Sequence, residues 1–199
     1  MPTLGDRFDE ALVYAAQLHR GQVRKGQTAV PYVSHLLGVA SLALEHGADE
    51  DEAIAALLHD AVEDQGGART LAAIKEKFGG KVADIVEACS DSLGEPKPPW
   101  RDRKEAYVAR LKTASRSARL VSASDKLHNA RSILTDYRRE GGRVWSRFSA
   151  GRDGVLWYYR ALVDALRPAG PSALVEDLDR VVCELERLAV TETRRAWKR

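Results

Sequence analysis

Several things are scarce in this 199-residue chain. It has two cysteines, Cys89 and Cys183, with no metal-type spacing, so neither a disulfide framework nor a cysteine-held zinc is expected. Both are expected to be buried free thiols in a reducing compartment. No apolar run approaches the ~18 residues a membrane span requires, and "MPTLGDRFDEAL" has no apolar signal region. The formal charge is only +2, too little to argue for a nucleic-acid or membrane partner in bulk. Alternating strand patterns, internal repeats and low-complexity tracts are also scarce. The expectation is a cytoplasmic domain with no nucleic-acid or membrane partner; an oligomer is left open.

What is present is hydrophobic residue at helical spacing, 44% of the chain. Phe8, Leu12, Ala15 and Ala16 predict a helix over about 7–21. After the loop "GQVRKGQTAVPYVS", Ser34 is placed to cap a helix from His35 to His46. Asp49 is placed to cap one helix running to about Asp64. Two short helices, "RTLAAIKEKFGG" and "KVADIVEACSD", precede a stretch, "LGEPKPPW", whose prolines block a regular helix. Helices follow over about 101–114 and 117–138. "REGGRVWSRFSAG" reads as an irregular linker, and helices over about 152–166 and 172–190 precede a basic tail, 191–199. The fold class is all-α, with short loops favouring antiparallel neighbours. The basic stretch 101–119 reads as a solvated helix face.

Chemistry concentrates in "ALLHDAVEDQ". His59 and Glu63 are four apart and share a face, as do Asp60 and Asp64. Charges at the end of an apolar helix need a partner or a metal. His35 opens a helix behind a cationic loop. Asp125 and Asn129, four apart, project together from "LVSASDKLHNARSI". Two imidazoles and two carboxylates suit manganese, iron(II), cobalt or zinc better than calcium or magnesium. Taken singly, "HD" is a common dipeptide, His35 a helix-start histidine and Asp125 a satisfied polar group. Spacing alone leaves those readings open.

The segments "HRGQVRKGQTAVPYVSH", "LLHDAVED", "EACSDS" and "SDKLHNARSI" together resemble the HD-domain metal-dependent phosphohydrolases. Within them the chain is similar to the RelA/SpoT-type hydrolase domain and the small alarmone hydrolases. The likeness spans about Arg7 to Tyr137. It implies a compact HD-domain bundle of about eight to ten helices, one hydrolase domain over 1–199 with its core at about 7–168. It implies that His35, His59, Asp60 and Asp125 hold one ion, usually manganese, and that Glu63 and Asp64 work on the attacking water. It places Arg24, Lys25, Ser34 and Asn129 at the nucleotide. Lys97, Arg103 and Lys104, together with Arg131 and Tyr159, are further candidates for the substrate, although each also suits a surface or core role. The substrate implied is (p)ppGpp, with pyrophosphate released from the 3′ position. No synthetase domain follows, so a hydrolase-only protein is expected. Alternatives are removal of the 2′-phosphate of NADPH, another nucleotide phosphohydrolase, or a non-catalytic nucleotide sensor. Leu36 and Gln65 depart from proline and threonine at those places in many relatives.

Overall fold

The structure, a computed structural model, describes residues 3–25, 29–91 and 97–196, the last five as backbone alone. Gly26, residues 93–96 of the proline stretch and the end of the basic tail lie outside the described residues. Among the described residues ten α-helices follow one another: α1 Asp6–Leu18, α2 Val33–Glu45, α3 Glu50–Leu58, α4 Ala61–Asp64, α5 Gly67–Phe78, α6 Gly80–Cys89, α7 Trp100–Leu111, α8 Arg116–Glu140, α9 Gly151–Leu166 and α10 Ala173–Ala196. The linker expected to be irregular, after α8, is a 3₁₀ helix, Gly141–Arg147. Extended pairing among the described residues is confined to one antiparallel bridge, Val23 with Pro31. It closes the loop ahead of α2, with Arg24 N–H donating to Val30 O at 2.9 Å and Tyr32 N–H to Gln22 O at 2.9 Å. No described helix is long and apolar enough to cross a membrane.

Two expectations about element boundaries are corrected. Ser34 does not cap α2. The helix begins two residues earlier than expected, at Val33 after Tyr32, and Ser34 lies exposed in its first turn. The hydrogen bonds Ser34 N–H to Pro31 O and His35 N–H to Tyr32 O start the turn without any side-chain cap. The helix expected over 49–64 is interrupted. Asp49 does cap it, in a reciprocal box: its carboxylate accepts from Glu52 N–H, and the Glu52 carboxylate accepts from Asp49 N–H, both at 2.9 Å. But α3 stops at Leu58, His59 and Asp60 form a turn, and α4 starts afresh at Ala61. No proline or glycine marks that break. The last helix, expected to end near residue 190, runs on to Ala196, through part of the basic tail.

The core explains the arrangement. In α3, Ala53 through Leu58 have no accessible surface at all. A helix buried on every side needs neighbours on every side, and α3 packs against α1, α2, α6 and α8. Together with α4 and α5 these make one apolar cluster. A second gathers Tyr107, Leu127, Ile133, Tyr137, Tyr158, Leu162 and Leu178 from α7, α8, α9 and α10. Helix α8 contributes to both, through Val121 on one side and Leu127 on the other.

The cysteines are free, but the expectation that both are buried fails for Cys183. It sits exposed on α10, with its sulfur 3.3 Å from Arg160 Nη2. Cys89 is half-buried, and burial pushes its thiol up to about 12.

Leu57→Ala should lower unfolding free energy by about 2–5 kcal/mol, because α3 has no room to collapse into. Leu37→Ala, at an exposed position on α2, should shift it by about 0.5 kcal/mol or less. Chemical denaturation of the two variants measures both.

Candidate metal centre and cleft

The break after Leu58 is what turns the His–Asp pair inward. His59 Nδ1 meets the carbonyl of Ala56 at 2.8 Å, so it carries the proton and donates. Its Nε2 then presents a lone pair into the space between α2, α3 and α8. His35, from the first turn of α2, and Asp125, from the middle of α8, enter the same space. His59 Nε2 lies 3.0 Å from Asp60 Oδ2 and 3.6 Å from Asp125 Oδ1. His35 Nε2 lies 3.4 Å and 3.2 Å from the same two oxygens. Both Nε2 atoms are buried and lack a hydrogen bond of good geometry. Orphaned lone pairs beside two carboxylates are what a divalent cation would satisfy, and their nitrogen and oxygen chemistry suits a transition metal. The ligand atoms of His35, His59 and Asp125 lie within 4.8 Å of one another, so these three residues could hold such an ion. Asp60 offers a fourth oxygen.

Electrostatics agree. Burial opposes ionisation of Asp60, but the adjacent His59 and His35 imidazoles outweigh it and hold the carboxyl well below the usual range. Burial likewise opposes the charge on Asp125, and Lys126 with the two histidines overcomes it. Lys126 donates to Asp125 Oδ2 at 2.6 Å. Asn129 donates to Asp125 Oδ1, which aims that carboxylate as expected from their spacing. Tyr32 donates to Asp60 Oδ2 at 2.6 Å.

Asp60 brings the cluster to the floor of a cleft of about 490 Å³, with Lys126 and Asn129, the partners of Asp125, beside it. Arg24, Lys25, Arg103, Lys104, Lys126 and Arg147 supply cations to its walls. Tyr158 and Tyr159, both deeply buried, close its far side from α9. Glu63 and Asp64 stand on the α4 side. Gln22 Nε2 donates to Asp64 Oδ2 at 2.8 Å, and Gln22 Oε1 in turn accepts from Gln65 Nε2 at 2.7 Å. Glu63 is shifted up, first by burial and then by the Asp91 charge. The Lys104 and Lys126 charges oppose that rise, and Lys97 Nζ lies 3.8 Å from Glu63 Oε1.

Arg24, Lys25, Asn129 and Tyr159 line the cleft, as do Arg103 and Lys104. The last two therefore depart from the solvated face expected of 101–119. Both turn inward to the Asp91 carboxylate, Arg103 at 2.6 and 2.7 Å and Lys104 at 2.6 Å. Lys97 touches Glu63 without lining the cleft. Ser34 is exposed and stands apart from it. Arg131 also stands apart, because two residues beyond Asn129 the helix has turned by about 200°. It pairs with Asp177 of α10 at 3.3 Å.

Sequence reasoning passed over Tyr32, Lys126, Asp91 and Arg147. The first two are adjacent to motif residues and could have been found there. Asp91 stood inside the quoted "EACSDS" but gave no sign of the cations it would gather. Arg147, from the 3₁₀ helix, carries no local signal.

A buried imidazole–carboxylate cluster under a cation-walled cleft, on helices alone, defines a metal-binding helical domain built to receive an anion. The family model of the HD domain matches residues 11–156, and the chain belongs to that family. It is 39% identical over 139 residues to guanosine-3′,5′-bis(diphosphate) 3′-pyrophosphohydrolase MESH1 of Xenopus tropicalis, covering 69% of this chain and 73% of that one. It is 32% identical to the bifunctional (p)ppGpp synthase/hydrolase SpoT of Escherichia coli, over 69% of this chain and 20% of that one. Among solved structures it is similar to a metazoan ortholog of SpoT described as hydrolysing ppGpp. That match has a TM-score of 0.76 and 28% identity, covering 92% of this chain and 98% of the other.

His59→Ala is expected to weaken divalent-metal binding at least tenfold, on the order seen when a site loses a ligand or its support. Arg131→Ala should leave it unchanged. Elemental analysis after dialysis against a metal buffer reads both.

Proposed function

We propose that the protein is a metal-dependent hydrolase of guanosine 3′,5′-bis(diphosphate) and its pentaphosphate form, releasing pyrophosphate from the 3′ position. The observation that carries this reading is the His35–His59–Asp60–Asp125 cluster opening into a cleft walled by cations. Relatives named for the same reaction support it. The whole chain is read as one hydrolase domain acting in the cytoplasm, with manganese as its ion, since a mixed nitrogen–oxygen set suits it.

The substrate phosphorus already bears negative charge. Arg24, Lys25, Arg103, Lys104 and Arg147 line the cleft where that charge would lie and would neutralise it. An ion held by His35, His59, Asp60 and Asp125 would lower the pKa of water and polarise a phosphoryl oxygen. Glu63 is the group proposed to accept the proton of the attacking water. Its raised pKa keeps it a stronger base than an ordinary glutamate once deprotonated. Asp64, held by Gln22, orients that water. Hydrolysis leaves a hydroxyl on the ribose 3′ oxygen and sets pyrophosphate free. Tyr159, stacked edge-on against Tyr158 at 5.8 Å, gives the nucleoside an apolar wall.

The test is a product-resolved assay with manganese on ppGpp, NADPH and simple nucleotides. Pyrophosphate from ppGpp is expected. Orthophosphate from NADPH with ppGpp untouched would overturn the reading, and tight ppGpp binding without turnover would make the protein a sensor. Glu63→Gln should cut kcat by about 10²–10⁴-fold with metal content intact.

The acid limb of kcat/KM should also sit above the ordinary glutamate range. A base with a raised pKa is lost to protonation as pH falls through that higher value. Asp91→Asn removes the carboxylate that does most of the raising after burial, so it should move the limb to lower pH. A pH–rate profile of the two proteins checks the sign.

A further inference from the structure

The two metal-facing imidazoles are not held alike. His59 has its Nδ1 fixed by a main-chain carbonyl, which no substitution removes. His35 has no such partner. Its Nδ1 lies 2.9 Å from Nδ1 of His128, the fourth residue of "DKLHN". The two rings are tilted by 52° with centroids 4.8 Å apart.

An N···N contact of that length holds one bridging proton. With the lone pair of His35 Nε2 turned toward an ion, the His35 proton must sit on Nδ1. His128 Nδ1 is then the acceptor, and the His128 proton sits on its own Nε2. In the opposite arrangement His35 would direct an N–H into the cluster and could not ligate.

The neighbour facing His128 is Gly38, in the middle of α2, where glycine is a poor helix former. A Cβ there would meet His128 Cδ2 and Nε2 at 2.4 Å. The backbone of Gly38 is ordinary helix, so the glycine is not required by its torsions. The clash could be relieved by swinging the imidazole away, which would break its bond to His35.

We propose that His128 is a positioning residue that fixes the ligating tautomer and ring direction of His35, and that Gly38 is the slot that admits it. The inference rests on the metal-dependent reading of the site, but not on the identity of the substrate. It groups two residues, one on α2 and one on α8, into a single support for one ligand. Outer partners of ligating histidines typically contribute 10–100-fold in metal affinity.

The experiment is titration calorimetry with Mn²⁺ on metal-stripped protein, with circular dichroism confirming that each variant folds. His128→Phe keeps a ring without an acceptor and should raise the Mn²⁺ dissociation constant about 10–100-fold. Gly38→Ala should reproduce that loss while leaving every ligand in place. His128→Asn, whose side-chain oxygen stands close to the position of Nδ1, should recover much of the affinity. On the zinc-loaded protein, which is diamagnetic, ¹⁵N imidazole spectra should show His35 protonated at Nδ1.

Unchanged Mn²⁺ affinity in folded His128→Phe would overturn the inference, as would His35 protonated at Nε2 in the zinc-loaded protein. If those variants still hydrolyse ppGpp, the functional reading survives that failure. If affinities fall as expected while ppGpp is left untouched by wild type, the substrate reading fails and this one stands.

Discussion

The constraint on which the rest depends is a helix with no polar face. The interior of α3 is alanine, isoleucine and leucine on every side, and Ala53 to Leu58 are shut away from water. Such a segment is stable only inside a ring of other helices. The ring members deliver the chemistry, because α2 brings His35 and α8 brings Asp125 to the end of α3, where His59 and Asp60 wait. The apolar packing thus fixes the polar geometry. Small side chains matter here: alanines at 53, 55 and 56 let neighbouring helices approach closely enough for ligand atoms to converge.

The charge arrangement follows the same logic. Two carboxylates kept ionised beside two imidazoles make the floor negative, whereas the walls above are cationic. Opposite signs in one cleft would ordinarily collapse into ion pairs. Some do, and those pairs are structured: Asp91 ties Arg103 and Lys104 to the wall, and Asp136 and Glu140 hold Arg147. Cations held this way need little ordering when an anion arrives, which lowers the entropic cost of binding.

Much of this was legible in the sequence. Helical periodicity gave the fold class, because amphipathic spacing records which face each helix buries. The Asp49 cap was legible for the same local reason, since a cap involves only neighbours. Ser34 misled because a serine ahead of an apolar run is the usual cap signature, but Pro31 and Tyr32 already supply the turn through backbone bonds. The break after Leu58 carried no glycine or proline to announce it. It depends on the Ala56 carbonyl being taken up by the His59 ring and on partners from distant helices. Arg131 misled because proximity in sequence is not proximity on a helix surface. The four cluster residues came together because each is anchored by an adjacent apolar stretch, whereas the wall cations depend on tertiary pairs that no local pattern records.

Helix α8 belongs to both apolar clusters, with Val121 in one and Ala123 and Leu127 to Tyr137, on either side of Asp125, in the other. This makes the chain unequally tolerant of changes in length. A residue inserted or deleted in a connecting loop is absorbed at the surface. One inserted between Asp125 and Ile133 would rotate everything beyond it by about 100°. Tyr158 and Tyr159 belong to that second cluster, so the wall they form would swing away from Asp125. The spacing between floor and wall is thus written as a residue count along one uninterrupted helix.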